Sequence, residues 1–263
     1  MIKLVVCDLD GTLLNENSEI SDKTKITIKK LTEMGINFAI ASGRSVVSVT
    51  RFRNELGIRM YFICNNGANI YNESGDVIFS APMEDYTVEK IVKFLIDRNI
   101  NYNGFDENNI YIHSLDSGRI VSLENKYFSV KEIIKMDYYP KMSKLLAKGE
   151  PDVILKAKEQ MLKEDFAKDL DITISQPFCL DVVDKNATKG DGVKLLARNL
   201  GISTDEIMAF GDGDNDLNML ESVGHPVVME NAMESLKVRF NHVAESNRND
   251  GVARYLERYF GLG

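Results

Sequence analysis

Four short apolar runs constrain this chain most: Leu4 to Cys7, Ile36 to Ala41, Tyr61 to Cys64 and Ile207 to Phe210, each ending in a polar turn. Runs without polar alternation are what strands buried on both faces look like, and parallel sheets bury strands that way. Helical patterns separate them. Ser21 is placed to cap a helix whose stripe includes Ile28 and Leu31 and which Gly35 stops, and a second helix ends near Leu56-Gly57. The strand–helix alternation predicts an α/β fold with a doubly wound parallel sheet, Rossmann-like in its winding.

The rhythm then changes. Asn69 to Tyr71 and Val77 to Phe79 read as a hairpin around Glu73-Ser74-Gly75-Asp76, and Pro82 closes it. Val88, Ile91, Val92, Leu95 and Ile96 form a helical stripe. Strand-like runs follow at 100–105, 109–113, 152–156, 172–175 and 179–183, with helix-favouring, charge-rich segments between them. After Asp184 the first style returns. Val193, Leu196, Ala197 and Leu200 mark a helix ended by Gly201; the Ile207 to Phe210 strand, a helix from Leu217 and short strands at Pro226 to Met229 and His242 to Ala244 complete it. The expected organisation is a discontinuous core, 1–82 and 185–263, interrupted by an α+β domain at 83–184.

The first apolar run ends in Asp8-Leu9-Asp10-Gly11-Thr12. On extended backbone, acids at i and i+2 point to one side. Such a pair can hold a divalent cation, or divide the labour so that one attacks and the other moves protons; the same pattern also suits a solvated Asx turn. Three further stretches, Ser42-Gly43-Arg44, Thr188-Lys189-Gly190 and Gly211-Asp212-Gly213-Asp214-Asn215-Asp216, fall beside apolar runs or before helical patterns. In an open α/β sheet ligands gather there, at the carboxyl ends of the strands.

Taken in order, these four stretches resemble the signature motifs of the haloacid dehalogenase superfamily, most closely its Cof-like branch of sugar-phosphate phosphatases. Asn65-Asn66-Gly67-Ala68, Val228 to Ala232 and Asp250 to Ala253 also look like recurring segments of that branch. The resemblance implies a Mg²⁺-dependent phosphatase with an inserted cap domain governing substrate choice. It implies Asp8 as nucleophile, forming an aspartyl-phosphate, and Asp10 as the acid and base. Leu9, Ser42, Gly43, Lys189 and Asn215 would hold the phosphoryl group. Asp8, Asp212 and Asp10 would hold the metal, Asp10 through its backbone carbonyl, with Thr12, Arg44 and Asp216 in support. Arg44 has two readings, touching substrate or pairing with a core carboxylate, and Thr12 could assist the phosphate or cap the turn.

The requirement behind this set is charge. A phosphomonoester is anionic, so an attacking carboxylate needs cations and N–H donors beside it. The chain as a whole carries a formal charge of −8, so a broad nucleic-acid footprint is not expected and the positive charge must be local. Cys7, Cys64 and Cys179 lie within apolar runs without disulfide or zinc spacing and are expected as reduced core residues. No run reaches the ~18 apolar residues of a membrane span, and a cytoplasmic monomer or small homo-oligomer acting on a small phosphorylated metabolite is expected. The Asp212 loop lacks the Gly and Glu of a calcium loop, having Leu217 and Val223 there. His113, His225 and His242 have no metal spacing. Lys126, Lys131, Lys135, Lys141 and Lys144 fit a solvated face, or a grip on a second phosphate in a sugar phosphomutase. A phosphomutase and a catalytically silent binding module of the same fold are the alternatives.

Overall fold

A computed structural model of the chain describes residues 1–106, 109–112, 129–132 and 138–262. His113, Lys126 and Lys135 lie outside them. The chain divides into two compact units, Met1–Ile78 with Lys189–Gly263, and Phe79–Thr188.

The sheet of the first unit is built on β1 (Leu4–Cys7), flanked by β2 (Asn37–Ala41) and, from the other end of the chain, β12 (Ile207–Gly211), both parallel to it. Leu4, Val5 and Val6 have no exposed surface, each worth about 1.5–3 kcal/mol of apolar burial. Outward from β2 come β3 (Tyr61–Cys64), β4 (Asn69–Tyr71) and β5 (Val77–Ser80); outward from β12 come β13 (His225–Met229) and β14 (Val243–Ala244). Pairing is parallel from β14 through to β3 and antiparallel between β3 and β4. Two intervening helices are α1 (Asp22–Glu33), capped by the Ser21 side chain as expected, and α2 (Val46–Leu56).

The second unit has its own sheet: β6 (Asn101–Phe105), β7 (Asn109–Ile112), β8 (Ser129–Glu132), β9 (Lys144–Lys148), β10 (Leu170–Gln176) and β11 (Cys179–Asp184), in the order β10-β11-β9-β6-β7-β8. Helices α3 (Asp85–Ile96) and α4 (Pro151–Met161) pack on one face over Tyr102, Leu145, Leu180 and Val182.

Two readings of this region are corrected. Residues 152–156 are helical, not a strand: Pro151 opens α4, and Ile154, Ala157 and Met161 face inward at helical spacing while Val153 and Leu155 are exposed. Residues 144–148, rich in helix formers, are strand β9, held between β6 and β11. Lys144 is accordingly not on a solvated face; it is buried and paired with buried Asp181 at 2.7 Å. Lys141 does lie on an exposed face, paired with Glu84. Cys7, Cys64 and Cys179 are buried and free. Among the described residues no helix is long and apolar enough to cross a membrane.

Candidate active site

Parallel register brings three of the four motifs together. Cys7 stands level with Ile40 and Phe210, so the next residues, Asp8, Ser42 and Gly211-Asp212, leave the sheet at the same end. The Asp8 N–H donates to the Phe210 carbonyl at 2.9 Å and the Ser42 N–H to that of Ile63 at 2.8 Å. The chain then turns sharply through Leu9–Leu13, with Gly11 at φ 85°. A Cβ on Gly11 would lie 2.3 Å from Asp212 Oδ2; only a glycine both adopts this backbone and lets Asp212 approach.

The centre is a buried charge cluster. Helix α5 (Lys189–Leu200) begins with Lys189, 1% exposed. Its Nζ donates to Asp8 Oδ1 at 2.6 Å and Asp216 Oδ1 at 2.7 Å. The other Asp216 oxygen accepts the Asp212 and Gly213 backbone N–H groups, both at 2.9 Å, shaping the loop that carries Asp212. Thr12 Oγ1 donates to Asp212 Oδ1 at 2.6 Å, so Thr12 orients an acid rather than capping its own turn. Arg44 takes the core-carboxylate alternative: Nε and Nη2 donate to the two oxygens of Asp10 at 2.8 and 2.6 Å. Asn215 Nδ2 donates to Asn66 Oδ1 at 3.0 Å. Ser42 Oγ accepts the Arg44 N–H, and Leu9 is buried with its carbonyl accepting the Leu14 N–H. Gly43 lies between Ser42 and Arg44 on the same turn.

Asp8, Asp212 and Asp216 each offer a carboxylate oxygen, the three lying within 4.8 Å of one another. Burial and the neighbouring Asp216 push Asp8 well above the usual carboxyl range, against the pull of Lys189. Burial, again with Asp216, pushes Asp212 up to about 7. Burial alone opposes the Lys189 charge, but Asp216 and Asp8 hold its ammonium well above the ordinary lysine value. One ammonium among these acids leaves an excess of negative charge on hard oxygen donors, the chemistry that suits a divalent cation. The Asp10 carboxyl is not part of this trio, being held by Arg44.

Two partners were not singled out as site residues. Asn66 reaches Asn215, and Asn231 donates to the Gly11 carbonyl at 2.8 Å. The signal for the first was its Asn-Asn-Gly sequence directly after a strand, where left-handed backbone is tolerated. His225 and His242 stack on each other, with 5.0 Å between ring centroids, and take no part in the cluster.

A largely parallel sheet with convergent acids and a buried lysine at the carboxyl ends of its strands is the arrangement of an α/β hydrolase with a cation-suited site. The family model for haloacid dehalogenase-like hydrolases matches residues 5–256, and the chain belongs to that family. A protein of Buchnera aphidicola from Schizaphis graminum, provisionally named a phosphatase, is 33% identical over 99% of this chain and 96% of its own. The HMP-PP phosphatase of Citrobacter koseri is 26% identical over 98% of this chain and 96% of its own. The crystal structure of a haloacid dehalogenase-like hydrolase from Bacteroides thetaiotaomicron superposes with a TM-score of 0.84 at 26% identity, covering 99% of this chain and 100% of that one. The chain is a phosphatase of the Cof-like group.

Proposed function

We propose that this protein is a Mg²⁺-dependent phosphatase that hydrolyses small phosphorylated metabolites, sugar phosphates or phosphorylated cofactors, through an aspartyl-phosphate. The observation that carries the reading is the buried Lys189 ammonium bridging Asp8 and Asp216, with Asp10 held apart from it by Arg44. One acid is thus neutralised for attack while a second, outside the trio, is left for proton transfer.

Lys189 occupies Asp8 Oδ1, which leaves Oδ2 to attack phosphorus. The phosphorus–oxygen bond to the leaving alcohol breaks as the bond to Asp8 forms, and Asp10 supplies the proton the alkoxide needs. Asp10 then takes a proton from water, whose oxygen attacks the aspartyl-phosphate and releases Asp8 and inorganic phosphate. To give that proton the Asp10 carboxyl must be protonated and so released from Arg44, and the ion pair is the ionised resting position of the acid. Lys189, Ser42, Gly43, the Leu9 backbone and Asn215 supply charge and donors to the phosphoryl oxygens. Asp8 and Asp212 would hold the cation, with the Asp10 backbone carbonyl, which supplies neutralisation of the nucleophile's and the phosphate's charge.

Phe79–Thr188 is the proposed specificity unit, with 83–184 as the inserted cap. Its support is the sheet face opposite α3 and α4. Asn103, Leu146, Asp181 and Thr173 stand in register across β6, β9, β11 and β10. Lys144 pairs with the Asp181 of that row, and the Asn103 Nδ2 is buried with no hydrogen-bond partner among the described residues. A polar row with a spare donor suits a hydroxyl-rich leaving group.

The test is Mg²⁺-dependent phosphate release from a panel of phosphorylated metabolites, HMP-PP included, by wild type and Asp8→Asn in parallel. Release by wild type alone is expected. Equal release by both discards Asp8 as nucleophile, and none by either turns the reading toward a phosphomutase or a silent binding module.

A further inference from the structure

The segment after β3 is strained where nothing in the mechanism above uses it. Asn65, Asn66 and Gly67 follow one another at φ 50°, 56° and 109°, and both asparagines are buried. Successive left-handed residues that are not all glycine persist only where their surroundings over-determine them. Here the surroundings are the phosphoryl-binding parts. The Asn66 N–H donates to the Ser42 carbonyl at 3.1 Å and the Asn65 N–H to the Arg44 carbonyl at 3.0 Å. Helix α5, which begins with Lys189, abuts the same loop: a Cβ on Gly192 would lie 2.5 Å from Ile63 Cγ2 and 3.4 Å from Gly67 Cα. The Asn66 side chain, through Oδ1, accepts from Asn215 Nδ2 at 3.0 Å.

From this geometry we infer that Asn66 is a positioning residue, setting which end of the Asn215 amide faces the phosphoryl group. An asparagine amide presents two N–H donors on one side and a carbonyl oxygen on the other. With one N–H committed to Asn66, the second is available to an anionic oxygen. Without that acceptor the amide is free to turn its carbonyl toward the anion, where like partial charges repel. Asn66 therefore acts through Asn215, without touching substrate. The inference rests on the phosphatase reading.

Asn66→Gly tests it, because glycine keeps the left-handed backbone and removes only the amide. Expected are a kcat/KM lower by about ten- to a hundredfold and correspondingly weaker binding of inorganic phosphate by calorimetry. In an Asn215→Ala background the same change should have almost no further effect on either quantity. Equal losses in both backgrounds would show that Asn66 does not act through Asn215, and wild-type values for Asn66→Gly would show that it does not act at all; either result overturns the inference. Asn66→Asp guards against a folding failure of the glycine variant, since aspartate tolerates the same backbone and keeps an acceptor. In that background Asn215→Ala should still cost its full factor, and no cost overturns the proposal. Wild-type protein that releases no phosphate sinks the phosphatase reading together with this inference, whereas wild-type turnover with an additive cycle sinks the inference alone.

Discussion

Removing divalent cations from this protein should make its stability fall as pH rises, against the usual behaviour of carboxylates in ion pairs. Asp212 in the folded chain is pushed from 3.8 up to about 7. Between those values the folded carboxyl keeps a proton that the unfolded one has lost, so the folded state binds more protons and each step up in pH favours unfolding. About three units at 1.36 kcal/mol each amounts to about 4 kcal/mol lost between roughly pH 4 and 7. Asp8 is displaced in the same direction. A cation takes the place of the missing protons. Mg²⁺ at a hundred times its dissociation constant should add about 2.7 kcal/mol, with the gain shrinking below about pH 7 as the ligands protonate. Urea unfolding of chelator-treated protein at several pH values, with and without Mg²⁺, measures both effects, following the transition of Met1–Ile78 with Lys189–Gly263. The difference from Asp212→Asn isolates the slope that belongs to this acid. Metal-free wild type whose stability, relative to Asp212→Asn, is flat or rises from pH 5 to 8 would refute the argument. So would a Mg²⁺ gain independent of pH.

Lys189→Met leaves Asp8 and Asp216 buried without a counter-charge, and should cost about 3–5 kcal/mol at neutral pH; urea unfolding showing under about 1 kcal/mol would contradict the buried-cluster account. Thr12→Val removes the donor to Asp212 Oδ1. Its Mg²⁺ activation constant should rise by about ten- to a hundredfold while kcat at saturating Mg²⁺ changes little, and an unchanged constant would mean that Thr12 does not orient a metal ligand. Asp10→Asn removes the proton carrier at constant size and should lower kcat by about 10²–10⁴-fold; steady-state turnover at the wild-type level would rule out the acid and base role.

Much of the fold and the candidate site could be read from local pattern. The apolar runs marked the core strands, the Ser21 cap and the glycine stops bounded helices, and the four motifs named the acids and the lysine that the structure brings together. What failed was local too. Val153-Ile154-Leu155 reads equally as strand or helix over three residues, and Pro151 with the Ala157 and Met161 spacing decides for helix. Lys144 to Lys148 consists of helix formers and becomes a strand because β6 and β11 supply its hydrogen bonds from either side.

The sequence by itself determined which residues were available for phosphoryl chemistry, since spacing along a strand or turn is a property of the local chain. Tertiary structure alone decided their pairings. Lys189 meets Asp8 across 181 positions and Asn215 meets Asn66 across 149, Thr12 turns to Asp212, and Arg44 chooses Asp10. Those choices follow from parallel strands ending level at one edge of a sheet. Burial there makes each charge depend on its neighbours, which no single segment of the chain encodes.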